Sequence, residues 1–291
     1  MSRPRTKADP LTDFSRSSFR HDGVARVIYE KGEGPPVLVM HEIPGITPEV
    51  ADFARRVVDA GYRVTMPVLF GTPGKPFGMA YNLQELARAC IAREFTVLGL
   101  RRSSPVTVWL RALCRHLHAE HGGRGVGAIG MCLTGNFALA LMVEPCLMAP
   151  VLSQPSLPFR ASPWHSADLH VSDADLTVIK QRAQAGCPVL GLRIRTDPMV
   201  PGRRFDRLRQ ELGDAFIDVT LDLGPQGGVS PIPHSVVTTE YRDDLLGVRD
   251  HPTHGAMQAV LDLFDRQLRP PPGQSPPSGP ESVSPLAPDD E

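Results

Sequence analysis

The sequence predicts an α/β protein with a mostly parallel, twisted sheet and helices on both faces. Three observations lead there. Short apolar runs alternate with longer stretches of helical spacing between residues 22 and 269, the pattern of strand, crossover helix, strand. Several runs are apolar at nearly every position, as strands covered on both faces must be. At Gly130 a strand-like run gives way abruptly to the helix-forming stretch Phe137–Met142.

Taken in order, the strand candidates are Val24–Tyr29, Pro36–Met40, Arg63–Met66, Val126–Ile129, Met148–Leu152, Val189–Ile194 and Ile217–Leu221. Pro48–Asp59 reads as a helix. So does Ser104–His118, with Pro105 at a first-turn position and Val106, Leu110, Leu113 and Leu117 at helical spacing. A further helix starts at Thr253 and puts Met257, Leu261, Phe264 and Leu268 on one face. Residues 1–21 are polar and expected to form a flexible N-terminal segment. Residues 22–269 form the folded domain. Residues 270–291 are rich in Pro and Ser, carry nothing that could build a core, and are expected to be disordered.

Composition narrows the function. The chain has 291 residues, 41% hydrophobic and 22% charged, with a net charge of −1. Such a balance lacks the electrostatic footprint of a nucleic-acid binder. Arg193, Arg195, Arg203, Arg204, Arg207 and Arg209 cluster, but Asp197, Asp206, Glu211 and Asp214 interleave with them. That segment reads as a mixed, solvated helix face. Five widely spaced cysteines without a C-x-x-C pair suggest neither a disulfide framework nor a zinc site. Residues Met1–Pro10 lack the apolar core of a signal peptide, and the longest apolar stretch is broken by Glu144 and Pro145. The expectation is a reduced cytoplasmic location, without a membrane or nucleic-acid partner, and with no cofactor. His116, His118 and His121 fit no zinc motif and read as a helix end.

The chemistry gathers in loops that follow strands, where open parallel sheets bind their ligands. Gly130-Met131-Cys132-Leu133-Thr134-Gly135 has the layout of a nucleophile elbow with cysteine as the nucleophile. The motif asks for Gly two residues after the nucleophile; Thr134 stands there and Gly135 comes one later. After Pro36–Met40 comes His41-Glu42-Ile43-Pro44-Gly45, which puts a carboxylate at a strand end. After Val189–Ile194 comes Asp197, and after Ile217–Leu221 comes His234, in a proline-bordered loop. The chain order Cys132, Asp197, His234 is that of nucleophile, acid and base in one class of catalytic triad. A thiolate would attack a carbonyl, the histidine would move protons and the acid would hold the imidazole. The backbone N–H groups of Ile43 and Leu133 are the candidates for the oxyanion hole. His254, on an apolar helix stripe, and His251, before Pro252, read as packing and lead-in residues.

Glu42 in His-Glu-Ile-Pro-Gly, Cys132 in Gly-Met-Cys-Leu-Thr-Gly, Asp197 in Asp-Pro-Met-Val-Pro and His234 in His-Ser together resemble the dienelactone hydrolase family over roughly residues 22–268. The resemblance implies an α/β-hydrolase fold and a Cys-His-Asp triad. In that family a glutamate contacts the resting thiol and moves to take its proton; Glu42 would be that residue here. Arg93 would correspond to one of the arginines that hold a substrate carboxylate. The family's second arginine, four residues after the histidine, is replaced by Thr238, and Thr134 replaces a family glycine. The function implied is cleavage of a small-molecule ester or lactone through an acyl-thioester on Cys132. The alternative is a catalytically silent protein of the same fold that binds a small carbonyl ligand.

Overall fold

Strand β3 (Pro36–Met40) is buried at every position, and a strand without an exposed face needs helices on both sides. The computed structural model, which describes residues 7–91, 104–157, 165–223, 228–241 and 251–269, supplies them. Eight strands form one sheet in the order β1-β2-β4-β3-β5-β6-β7-β8. β1 (Ser15–His21) and β2 (Val24–Lys31) form a hairpin, and β2 pairs antiparallel with β4 (Arg63–Pro67). From β4 onward every pairing is parallel, through β3, β5 (Val126–Met131), β6 (Leu147–Ser153), β7 (Val189–Ile194) and β8 (Phe216–Leu221). This is the α/β-hydrolase fold that the sequence predicts.

The period of two along a strand separates the two cores. Leu38, Met40 and Ala128 face a layer built from α3 (Pro105–His121), α4 (Gly135–Ala140), α5 (Asp173–Gln184) and α6 (Gly202–Leu212). Val37, Val39 and Ile129 face α1 (Pro48–Asp59) and α7 (Pro252–Leu268). A further helix, α2 (Met79–Ile91), precedes the undescribed residues 92–103. Helix starts follow local chemistry. The Thr47 hydroxyl accepts from Val50 N ahead of Pro48, and the Ser104 hydroxyl accepts from Thr107 N ahead of Pro105. His251 caps α7 in the same way, ahead of Pro252.

Two expectations are corrected. Residues 7–21 are not a flexible segment. Leu11 and Phe14 are buried, Asp9 and Asp13 pair with Arg55, and β1 runs in full register along β2. An exposed edge strand carries little apolar signal, but Asp22-Gly23 between the two strands, both at positive φ (46° and 78°), is the dipeptide of a tight hairpin. Nor is the arginine cluster all solvated. Arg204 is fully buried, donating to the carbonyls of Asp168 (3.1 Å) and Pro155, and burial pushes its pKa down to about 10. Residues 1–6 and the tail 270–291 lie outside the described residues.

The strand-to-helix turn at Cys132 explains the misplaced glycine. Cys132 has φ +54°, a left-handed backbone that side chains rarely adopt. A Cβ on Gly130 would stand 2.1 Å from the carbonyl of Thr134, and one on Gly135 would stand 2.5 Å from Pro155 Cα, so both positions require glycine. Position 134 has room, and the structure fills it. Thr134 is fully buried, its hydroxyl accepts from Met131 N at 2.9 Å, and the carbonyls of Met40 (2.9 Å), Met131 (3.0 Å) and His41 (3.2 Å) surround its proton. The side chain thus ties the turn to the end of β3. Replacing Thr134 by Val would keep the shape and strand the Met131 N–H. The expected cost is about 1–3 kcal/mol, seen as a lower midpoint of urea unfolding with an unchanged m-value.

Candidate active site

Parallel register brings the candidate loops together. Met40 pairs with Gly130, Met131 with Ser153, Ser153 with Leu192, and Ile194 with Leu221. Strands β3, β5, β6, β7 and β8 therefore end at one edge of the sheet, and the segments after them emerge side by side. These are the segments that carry Glu42, Cys132, Gln154, Asp197 and His234. Their spacing along the chain is irrelevant to this, since neighbours in the sheet are set by hydrogen bonding rather than by sequence order.

Cys132 is partly exposed on its turn. Its sulfur lies 3.3 Å from the hydroxyl of Ser156, a buried residue whose N–H donates to the Cys132 carbonyl at 3.0 Å. Asp197 is buried. One of its carboxylate oxygens accepts from Met199 N at 2.9 Å, and the other meets His234 Nδ1 at 2.5 Å. The acid is thus fixed by its own loop before it fixes the imidazole. His234 Nε2 is buried and lacks a hydrogen bond of good geometry, but Cys132 is close enough to dominate its charge balance. Burial alone would push the His234 pKa down. The negative charge of Cys132 and the bond to Asp197 outweigh it, and the pKa stands well above the ordinary histidine range.

Glu42 is buried rather than solvated. Its carboxylate accepts from Ser235 Oγ at 2.6 Å, from Gln154 Nε2 at 3.2 Å and from the hydroxyl of Thr238. No cation hydrogen-bonds to it among the described residues. Burial raises its pKa; the Ser235 and Thr238 hydroxyls, the charge of His234 and the Gln154 amide partly offset this. The resemblance implies a glutamate against the resting thiol. In this chain the carboxylate points to the His234 loop and Ser156 stands against the thiol. Thr238, in place of an arginine, is one of the carboxylate's donors.

His41 has a structural part. It is fully buried, and its Nε2 accepts from Leu69 N at 3.0 Å, which leaves Nδ1–H to donate to the Glu42 carbonyl at 3.1 Å. Burial pushes its pKa down to about 4, so it is neutral and links the loops after β3 and β4.

The structure thus brings Cys132, His234, Asp197 and Glu42 to one edge, with Ile43 next to Glu42 on the loop after β3 and Leu133 next to Cys132 on its turn. Arg93 lies outside the described residues. Sequence reasoning missed Ser156 and Gln154. The signal was present: Ser153-Gln154-Pro155-Ser156 puts polar residues directly after a buried apolar strand, at the edge where such sheets bind ligands. Among the described residues, no group of three or more His, Cys, Asp or Glu could hold a metal ion.

Several solved structures share this architecture. A putative dienelactone hydrolase from Klebsiella pneumoniae subsp. pneumoniae is 20% identical, with a TM-score of 0.57 over 87% of this chain and 98% of its own. A dienelactone hydrolase-like promiscuous phosphotriesterase from metagenomic libraries is 18% identical, with a TM-score of 0.58 over 88% of this chain and 98% of its own. A cold-adapted esterase from an Arctic intertidal metagenomic library is 16% identical, with a TM-score of 0.55 over 92% of this chain and 100% of its own. These identities carry the fold alone. No curated protein matches the chain. The model of the dienelactone hydrolase family matches residues 24–230, taking in Glu42, Cys132 and Asp197 and ending just before His234. That match spans more than half of the sequence, and the chain belongs to the dienelactone hydrolase family.

Proposed function

We propose that this hydrolase cleaves a small carboxylic ester or lactone through an acyl-thioester on Cys132. One observation carries the reading. Cys132 stands on a left-handed strand-to-helix turn, φ +54°, at the sheet edge where Asp197 holds His234 Nδ1 at 2.5 Å, and a charged Cys132 would raise the pKa of that imidazole against the effect of burial. A sulfur that bears charge keeps the imidazole protonated; a sulfur that has become acylated does not. The two halves of ester hydrolysis need this change in the histidine.

The steps follow from it. The Cys132 thiolate attacks the carbonyl carbon, forming a C–S bond and a tetrahedral oxyanion between the Ile43 and Leu133 amides. The C–O bond to the leaving alkoxide breaks, and the His234 imidazolium gives that oxygen its proton. The sulfur is now a neutral thioester, so the influence that held the proton on His234 is gone. The free imidazole takes a proton from water, the hydroxide attacks the thioester, and the C–S bond breaks to return the thiolate. Asp197 keeps Nδ1–H pointed at itself throughout, which leaves Nε2 for both transfers. Glu42 is the acceptor for the thiol proton when the resting thiol is un-ionised. Ser156, whose hydroxyl lies 3.3 Å from Cys132 Sγ, supports the resting sulfur.

The described cysteines Cys114, Cys132, Cys146 and Cys187 are free, which fits a reducing compartment, and we place the protein in the cytoplasm. No helix among the described residues is long and apolar enough to cross a membrane.

Intact-mass spectrometry during turnover of a chromogenic short-chain ester is expected to catch an acyl adduct on the native protein and none on Cys132→Ala. The variant should remain folded and lose roughly 10³-fold or more in turnover. Ester hydrolysis by folded Cys132→Ala at the native rate would remove the assignment, and saturable ligand binding without turnover would favour the silent binding protein.

The pH dependence has a defined sign. Water activation needs neutral His234, so deacylation falls on the acid side. Asp197→Asn removes one influence that raises the His234 pKa. The acid limb of kcat should therefore move to lower pH while kcat itself falls by about 10²–10⁴-fold. A limb that stays in place would mean that His234 is not the titrating base.

A further inference from the structure

Gln154 occupies a position that ordinary packing does not call for. It is the first residue after β6, fully buried, and its backbone has φ +37°. A non-glycine residue held there, inside the protein, is uncommon and marks a side chain whose direction matters. Four elements converge on it. Its N–H donates to Leu192 O of β7 at 2.8 Å. Its amide nitrogen donates to Glu42 Oε2 at 3.2 Å, on the loop after β3. Its amide oxygen accepts from Val236 N at 3.3 Å, on the loop that carries His234. The same oxygen accepts from the hydroxyl of Ser153. Both ends of the amide are therefore assigned, and the donor end is directed at the carboxylate.

We infer that Gln154 is a positioning residue of the catalytic site, holding the Glu42 carboxylate against the His234 loop and acting on the thiol through Glu42. The inference rests on Cys132, His234 and Glu42 being the reacting groups proposed above. Gln154 hydrogen-bonds to the Glu42 carboxylate and acts on the sulfur only through it. It carries no charge, so it stabilises an ionised Glu42 without adding a cation that would fix that carboxylate permanently. Ser235 and Thr238 supply the carboxylate's other two hydrogen bonds, both from the His234 loop. Gln154 is the donor that comes from the sheet and so ties the pair to the rigid part of the fold.

The groups that face this carboxylate are few. His234 acts on it directly by charge. Cys132 and Asp197 act through His234, and His41, on the same loop, is neutral. Removing the Gln154 donor leaves burial less opposed, so Glu42 should hold its proton to higher pH. A protonated Glu42 cannot accept the proton of Cys132.

The test is the rate of alkylation of Cys132 by iodoacetamide against pH, read by mass spectrometry on the intact protein. It does not depend on any ester being a substrate, so a failure of this inference is distinguishable from a failure of the hydrolase reading. Gln154→Met keeps the length of the side chain and removes both amide groups. Gln154→Leu is the second variant should the first not fold, and circular dichroism checks both. The expected result is a displacement of the acid limb to higher pH, with alkylation slower by roughly fivefold on that limb. Glu42→Gln supplies the background for a double-mutant cycle. In that background the Gln154 substitution should no longer move the limb. A native profile in a folded Gln154 variant would overturn the inference. So would an equal displacement with and without Glu42, which would make Gln154 a support of the His234 loop only.

Discussion

The left-handed backbone at Cys132 is the constraint on which the rest of the site depends. A residue at φ +54° costs of order 1–3 kcal/mol and persists only where its surroundings allow no alternative. Here they are over-determined. Gly130 lets the Thr134 carbonyl approach, Gly135 lets Pro155 approach, Thr134 ties the turn to β3, and Ser156 N holds the Cys132 carbonyl. Pro155 is itself held by the buried guanidinium of Arg204. What looks in the sequence like a departure from an elbow motif is a different way of closing the same turn. The glycine needed for close packing sits one residue later, and a threonine hydroxyl does the tying.

Around that turn the charges are arranged so that each group's state depends on another's. Burial pushes the His234 pKa down, and the influences of Cys132 and Asp197 outweigh it. Glu42 is buried among neutral donors and feels the charge of His234. A carboxylate bound by a guanidinium would be fixed in its ionised form and difficult to move. A carboxylate bound by two hydroxyls and an amide keeps a raised pKa and can respond when the histidine changes. Thr238, where the family resemblance implies an arginine, is one of the hydroxyls that restrain Glu42.

Much of this was legible in the sequence. The buried strands, the order Cys132, Asp197, His234, and the carboxylate after β3 were all readable, because local pattern and strand-end position carry that information. β1 was not readable as a strand, since an edge strand with four exposed residues in succession shows no apolar period; its hairpin turn was the clue. Gln154 and Ser156 were passed over because a glutamine and a serine after a strand have no distinctive chemistry until their partners are known. The direction of the Glu42 carboxylate could not be read at all. It follows from three donors contributed by residues 112, 193 and 196 positions further along the chain.

The sequence by itself determined the fold class and the strand-end positions of Cys132, Asp197 and His234, because those depend on periodicity and on residues that must occupy particular turns. The tertiary structure alone decided which side chains meet. Parallel register sets the ends of β3, β5, β6, β7 and β8 at one edge, and only there do Ser156 reach the sulfur and Gln154 the carboxylate. Hydrogen bonds of about 3 Å between residues 24 and 112 positions apart are fixed by sheet pairing and burial, and no local pattern encodes them.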